Sequence, residues 1–217
     1  MAYDALLLDH DGVVVTLGDE TALRESARAA LRDAGVTDPD PEAVETMAIR
    51  VSMSELESVS SRYGVDPDEL WRNRDDRVAE ALRGETTAGR KEPYDDVDVL
   101  RDLPVSTGIV SNNQTRIVEF VLEYYGLADR FETVRAREPT RESLVRKKPR
   151  PTYLEAAMAD LGVENPLYVG DSASDVEAGR RAGLDVAFLR RPHNRDASLT
   201  TRPEYEVSGL ADVVDII

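Results

Sequence analysis

Four short runs, Ala5–Leu8, Val105–Val110, Leu167–Val169 and Val186–Leu189, alternate with stretches of helical periodicity. This alternation limits the fold more than any other feature. Each run is too short for a buried helix and ends in turn-forming or polar residues, so each reads as a strand. The stretches between them close on glycine: Thr115–Tyr125 on Gly126, Thr152–Leu161 on Gly162 and Ala173–Ala182 on Gly183. Glycine just past the last periodic residue is a helix stop. A further helix is expected over Val97–Leu103 and a short strand over Phe131–Val134. Strands joined by helical crossovers form a parallel sheet with helices on both faces, so the chain is expected to be α/β.

One segment breaks the alternation. From about Asp19 to Gly84 there are four helical patterns and no convincing strand: Thr21–Ala34, Pro41–Arg50, Ser54–Tyr63 and Asp68–Arg83. Glu85–Pro93, with Gly89 and Pro93, reads as a linker. The expected division is a sheet domain of residues 1–15 and 94–217 with an all-helical insert of residues 16–93. Arg90 and Lys91 read as solvated linker charges, with substrate contact as the alternative.

Composition removes several function classes. With no cysteine among 217 residues, a thiolate metal site, a disulfide scaffold and a cysteine nucleophile are excluded. Two histidines, His10 and His193, argue against a histidine-rich metal centre. The net charge of −16 argues against nucleic acid and anionic lipid as partners. The chain opens without a basic start or a long apolar stretch, so neither a signal peptide nor a membrane helix is expected, and the expected compartment is the cytoplasm.

In open parallel sheets ligands meet the carboxyl ends of the strands, so the polar residues there are the candidates. After the first strand come Asp9, His10, Asp11 and Gly12. On an extended chain Asp9 and Asp11 share a face, while His10 points to the other. The pair reads either as a turn or helix-cap pair, or as carboxylates that need a cation or a shared proton. After Val105–Val110 come Ser111, Asn112 and Asn113, a helix cap or an anion site. Lys147, Lys148, Pro149, Arg150 and Pro151 precede a helix, as a solvated basic loop or as charge for the site. Gly170, Asp171, Ser172, Ala173, Ser174 and Asp175 form either an N-cap or a second carboxylate pair. Together they offer carboxylates for a hard cation, a lysine, a hydroxyl and helix N-termini on one rim, the groups used in phosphoryl transfer with Mg²⁺.

The sequence resembles the haloacid dehalogenase-like hydrolase superfamily, in its helical-cap branch. Asp9-His10-Asp11-Gly12-Val13 is similar to the first motif, Asp-x-Asp-Gly-Thr/Val. Val110-Ser111-Asn112-Asn113 resembles the second. Lys148-Pro149-Arg150-Pro151-Thr152-Tyr153 resembles the third. The run from Val169 to Gly183 resembles the fourth, Gly-Asp-Ser-x-x-Asp-x-x-Ala-Gly-x-x-Ala-Gly. His10 stands where an apolar or aromatic residue is commoner; it reads as structural, with control of access as the alternative.

The resemblance implies a Rossmann-like parallel sheet with an inserted helical cap that closes over the site. It implies a phosphatase of small phosphate monoesters, with phosphoglycolate and sugar phosphates the first to try. Asp9 would be the nucleophile and Asp11 the general acid and base. Ser111 and the Asn112 N–H would bind the phosphoryl group, and Lys148 would balance its charge, Lys147 being the alternative. Mg²⁺ would be held by the Asp9 carboxylate, the Asp11 carbonyl and Asp171, with Asp175 acting through water or orienting Lys148. An acid at Asp11 favours a phosphatase over a dehalogenase; a phosphomutase, a receiver-like module holding a phospho-aspartate and a non-catalytic binding protein are the other readings. The oligomeric state is not legible.

The charge balance carries its own expectation. Of 27 basic residues only Lys91, Lys147 and Lys148 are lysines, against 43 acidic ones. At about 1 M salt the Debye length falls to roughly 3 Å and self-repulsion of such a surface is screened. The unfolding midpoint should therefore drop as salt is withdrawn, and a midpoint indifferent to salt refutes a halophilic design.

Overall fold

The computed structural model describes residues 3–101 and 103–217; Met1, Ala2 and Asp102, the last within the helix expected over Val97–Leu103, lie outside the described residues. Along the chain, β1 (Ala5–Leu8) is followed by α1 (Glu20–Asp33), α2 (Pro41–Ala48), α3 (Met53–Tyr63) and α4 (Pro67–Thr87). Then come β2 (Ser106–Gln114), α5 (Thr115–Tyr124), β3 (Thr133–Arg137), α6 (Thr152–Leu161), β4 (Leu167–Gly170), α7 (Ala173–Ala182), β5 (Val186–Leu189), β6 (Tyr205–Val207) and α8 (Leu210–Val214). Two compact units result: Met1–Leu17, Glu92–Ala136 and Arg146–Ile217 form one, and Gly18–Lys91 with Arg137–Val145 form the other.

The first unit is a six-stranded sheet in the order β3-β2-β1-β4-β5-β6. β1 pairs in parallel with β2 and β4, β4 with β5, and β5 with β6. Every residue of β1, β4 and β5 is buried, as near-continuous apolar strands covered on both faces require. The register is set at Leu8, which faces Ile109 on one side and Val169 on the other. The strand order reverses between β1 and β4, and the crevice of an open α/β sheet lies at such a reversal.

Local differences from the sequence reading have local causes. β2 does not stop at Val110 but carries extended backbone through Ser111, Asn112 and Asn113 to Gln114. The stretch expected as a helix from Val97 is a 3₁₀ turn, Val97–Leu100. α4 runs through Gly84 to Thr87, since a helical glycine costs only about 1 kcal/mol relative to alanine. β6 and α8 had no expected counterpart. Among the described residues no helix is long and apolar enough to cross a membrane.

The helical unit starts each helix on a capping side chain. Asp19, Asp40, Ser52 and Asp66 accept from the backbone N–H of Ala22, Ala43, Glu55 and Glu69. Its core gathers Leu31, Val44, Met47, Leu56, Leu70 and Trp71, together with Leu144. Leu144 belongs to the segment Arg137–Val145, placed in the sheet domain by the sequence reading but grouped here with the helices. The Arg137 guanidinium grips Asp75 with both arms, at 2.7 and 2.8 Å, and both side chains are buried. The Trp71 ring lies 4.7 Å from the Arg137 guanidinium and 5.2 Å from that of Arg74. Arg74 donates to the carbonyls of Met47 and Ala48, and its burial pushes its pKa down to about 10. Lys91 corrects the linker reading: it is fully buried, whereas Arg90 is exposed.

Removing one partner of a buried ion pair strands the other charge and costs about 3–5 kcal/mol. Asp75→Ala should therefore destabilise the helical unit by roughly that amount. The fluorescence of Trp71, the only tryptophan, reports it directly; an unfolding midpoint within error of wild type refutes the anchoring role.

Candidate active site

β1 ends at Leu8, but its ladder continues for one more bond: the Asp9 N–H donates to the Val169 carbonyl at 2.9 Å. Asp9 is thereby fixed at the mouth between β1 and β4. The chain then turns, with the N–H groups of Val14 and Val15 both donating to the His10 carbonyl at 3.0 Å. Asp9 and Asp11 therefore do not sit on one extended strand. His10 does not point away either: its ring is fully buried and Nδ1 lies 3.5 Å from Asp11 Oδ1. Gly12 makes the turn possible. Its φ is +83°, and a Cβ there would lie 2.1 Å from Asp171 Oδ2.

Lys148 is the hub. Its ammonium, 3% exposed as a residue, lies 2.9 Å from Asp9 Oδ1 and 2.7 Å from Asp175 Oδ1, and donates to the Val110 carbonyl and the Tyr168 hydroxyl, each at 3.0 Å. The Asn112 side chain fixes its backbone, donating to the Lys148 carbonyl at 3.0 Å and accepting from its N–H at 2.7 Å. Asp175 is saturated: Oδ1 also accepts from Tyr168 at 2.8 Å, and Oδ2 from the N–H and hydroxyl of Ser172. Gly170 lets Asp175 approach, since a Cβ there would meet the Asp175 Cβ at 2.2 Å.

Asp9, Asp171 and Asp175 each offer a ligand atom, and these atoms lie within 4.8 Å of one another. The carboxylate of Asp11 is not in that set; Asn113 donates to its Oδ2 at 2.9 Å. Ser111 is buried inside β2, next to Val110, and its Oγ accepts from the Asn113 N–H at 3.1 Å. Lys147 is half-buried one position before the hub.

Tyr168, His193 and Asn194 were absent from the sequence-based candidates, and Asn113 was among them only as a helix cap or anion site, not as a partner of Asp11. The rule that selected the aspartates and Ser111, polar residues past a strand, reaches His193 and Asn194 only when extended beyond Arg190, Arg191 and Pro192 after β5. Tyr168 lies inside a strand, where nothing marks a hydroxyl as bound to an ammonium.

The electrostatics follow from crowding. Three buried carboxylates around one ammonium leave two negative charges. Burial, with Asp175 and Asp171 beside it, holds the Asp9 carboxyl well above the usual range despite Lys148. Burial likewise raises Asp171, partly offset by His193. Burial would raise Asp175 too, but Lys148, Ser172 and Tyr168 keep it below the usual range. A divalent ion with a preference for oxygen ligands would cancel the surplus, and all the charged donors are carboxylates, so this set fits Mg²⁺. Asp9 and Asp171 would hold it through side-chain oxygens.

A family model described as haloacid dehalogenase-like hydrolase matches residues 3–183. The chain is similar to pyrophosphatase PpaX of Oceanobacillus iheyensis, 30% identical over 129 residues, with 57% of this chain covered but only 58% of that protein. It is 28% identical over 204 residues to N-acetylmuramic acid 6-phosphate phosphatase of Pseudomonas aeruginosa, covering 88% of this chain and 83% of that one. Its fold matches the crystal structure of CbbY from Rhodobacter sphaeroides in complex with phosphate, with a TM-score of 0.72 at 16% identity over 98% and 96% of the two chains.

A carboxyl whose folded pKa is raised stabilises the fold below its unfolded pKa, and that stability is lost as pH rises through the folded value. The stability that Asp9 and Asp171 contribute to the metal-free chain should therefore be lost from about pH 4 upward, opposite in sign to the contribution of the depressed Asp175 carboxyl. Mg²⁺ should restore it at neutral pH, by about 2.7 kcal/mol at a hundredfold excess over its dissociation constant. Thermal unfolding at pH 5 and pH 8, with Mg²⁺ or chelator, measures both effects; a Mg²⁺ shift no larger at pH 8 than at pH 5 contradicts the electrostatic reading.

Proposed function

The chain belongs to the haloacid dehalogenase-like hydrolase family, and from that premise we propose that it is a Mg²⁺-dependent phosphatase of small phosphate monoesters, acting through an aspartyl-phosphate. One observation carries this reading. A buried lysine, Lys148, lies against Asp9 Oδ1 at 2.9 Å inside a carboxylate set that fits a divalent cation. The residues that would hold Mg²⁺ are Asp9 and Asp171, with the Asp11 carbonyl. When bound, the ion would offset the charge of the phosphoryl oxygens so that an anionic nucleophile can approach.

The chain's own groups supply the rest. A carboxylate oxygen of Asp9 attacks phosphorus, and the bond from phosphorus to the alcohol oxygen breaks. Asp11 gives its proton to that departing oxygen. Asp11 then takes a proton from a water whose oxygen attacks the same phosphorus. The bond to Asp9 breaks, its carboxylate is regenerated and inorganic phosphate leaves. Asn113, donating to Asp11 Oδ2 at 2.9 Å, steadies this acid apart from the metal-binding set. The Ser111 hydroxyl and the Asn112 N–H receive phosphoryl oxygens, and Lys148 balances their charge. Asp175, with both oxygens already engaged, orients Lys148.

The similarity to a sugar-phosphate phosphatase over most of this chain supports a small phosphate ester as substrate. Phosphoglycolate, N-acetylmuramic acid 6-phosphate and pyrophosphate form the panel to assay. We place the activity in the cytoplasm, with neither nucleic acid nor membrane as partner.

Turnover of an aryl phosphate should require Mg²⁺ and fall to background in Asp9→Asn. Asp11→Asn should slow it by roughly 10²–10⁴-fold, the usual worth of a positioned acid–base group. Acid-stable labelling of the chain should then accumulate in Asp11→Asn but not in Asp9→Asn. Full turnover by Asp9→Asn eliminates the covalent mechanism.

A further inference from the structure

The loop after β5 carries two side chains that converge on Asp171. His193 Nε2 lies 2.6 Å from Asp171 Oδ2. An ionised carboxylate only accepts, so the ring presents its proton on Nε2 to this oxygen. Asn194, nine-tenths buried, holds the same residue by its backbone: Nδ2 donates to the Asp171 carbonyl at 2.7 Å and to the Leu189 carbonyl at 2.9 Å. One amide thus ties the end of β4 to the end of β5.

The loop that carries them is itself immobilised. Asn194 Oδ1 accepts from the Arg191 N–H at 2.7 Å. The Arg191 guanidinium grips Asp96 with both arms, at 2.8 and 2.9 Å, and donates to the Val13 carbonyl at 3.2 Å. It also lies 4.0 Å from the centroid of the Tyr94 ring. Asp96 in turn accepts from the Leu210 N–H at 2.9 Å. The turn after β1, the end of β4, the loop after β5 and the start of α8 are thereby joined through one arginine.

We propose that His193 and Asn194 are positioning residues for the Asp171 carboxylate, setting which of its oxygens faces the cation. Oδ2 is held by His193 and Oδ1 is left to the ion, while Asn194 fixes the backbone from which both project. Neither residue touches the substrate. A histidine that locks a carboxylate this way preorganises the site, and loss of such an outer partner typically weakens metal binding about 10–100-fold.

The inference rests on the Mg²⁺-binding reading of the site but not on turnover. Mg²⁺ alone, titrated calorimetrically into the full chain, is the probe. His193→Ala should weaken Mg²⁺ affinity at least tenfold while the metal-free thermal midpoint stays near wild type, since this side chain is partly exposed at the rim. His193→Gln, which returns an N–H donor at a similar reach, should recover most of the loss. Asn194→Ala should weaken affinity at least as much. In turnover, the Mg²⁺ requirement should move to higher concentration with the ester KM little changed at saturating metal. Equal Mg²⁺ affinity in His193→Ala and wild type overturns the proposal, as does a Gln variant no better than Ala. A wild-type chain that takes up Mg²⁺ with these dependences but hydrolyses no ester would leave the positioning role standing and sink only the phosphatase reading. A wild-type chain that takes up no Mg²⁺ overturns both.

Discussion

The ammonium of Lys148 is the interaction on which the site depends. Buried charge is costly, and an ammonium is tolerated inside a protein only where partners replace its water. Four acceptors surround Nζ: Asp9 Oδ1, Asp175 Oδ1, the Val110 carbonyl and the Tyr168 hydroxyl. They come from the end of β1, from inside β2 and β4 and from the first turn of α7. A single cation therefore pins elements that are far apart in sequence. The pinning is reinforced from behind, because Asn112 binds both backbone polar groups of Lys148. Asp175 spends both oxygens on this scaffold, whereas Asp9 and Asp171 are the acids to which the proposed function gives the cation.

Sheet topology explains why these partners can meet. The parallel register puts Leu8 opposite both Ile109 and Val169, so the residues that follow all emerge at one edge. Close approach is then limited by Cβ atoms. Gly12 and Gly170 remove those atoms where Asp171 and Asp175 press against the backbone. The turn, the two glycines and the carboxylates form one packing problem, and altering any of them disturbs the rest.

The legible part of this arrangement was the part carried by short apolar runs and by residues adjacent to them. β1, β4 and β5 are buried throughout, so their hydrophobicity is unbroken and their ends are sharp. β6 is a three-residue edge strand, half-exposed, with a glutamate at its centre, and has no such signature. β2 overran its expected end because the polar residues Ser111–Gln114 line a rim, where extended backbone needs no apolar side chains. The strand-alternation argument for Asp9 and Asp11 failed because the chain turns at His10, a bend dictated by Gly12 and by hydrogen bonds to one carbonyl. The attachment of Arg137–Val145 to the helices had no local signal. It comes from a side-chain fork meeting Asp75, a tertiary match that no periodicity records.

Two buried charge clusters show how structural and functional networks differ in this molecule. In the helical unit, Arg74, Arg137 and Asp75 leave one positive charge among the three, and that charge is spread over the carbonyls of Met47 and Ala48 and the face of Trp71. The excess is absorbed by the protein itself, and the cluster can be complete without a ligand. In the sheet unit, Asp9, Asp171, Asp175 and Lys148 leave two negative charges. The groups around them, the His10 N–H, Tyr168, Ser172 and His193, are donors that soften the excess without matching it. Burial, with the neighbouring acids adding to it, raises the titrations of Asp9 and Asp171. A fold that needed only stability would have replaced these acids with neutral side chains. Their meeting in one mouth supports the proposed site for a divalent cation and an anionic ester.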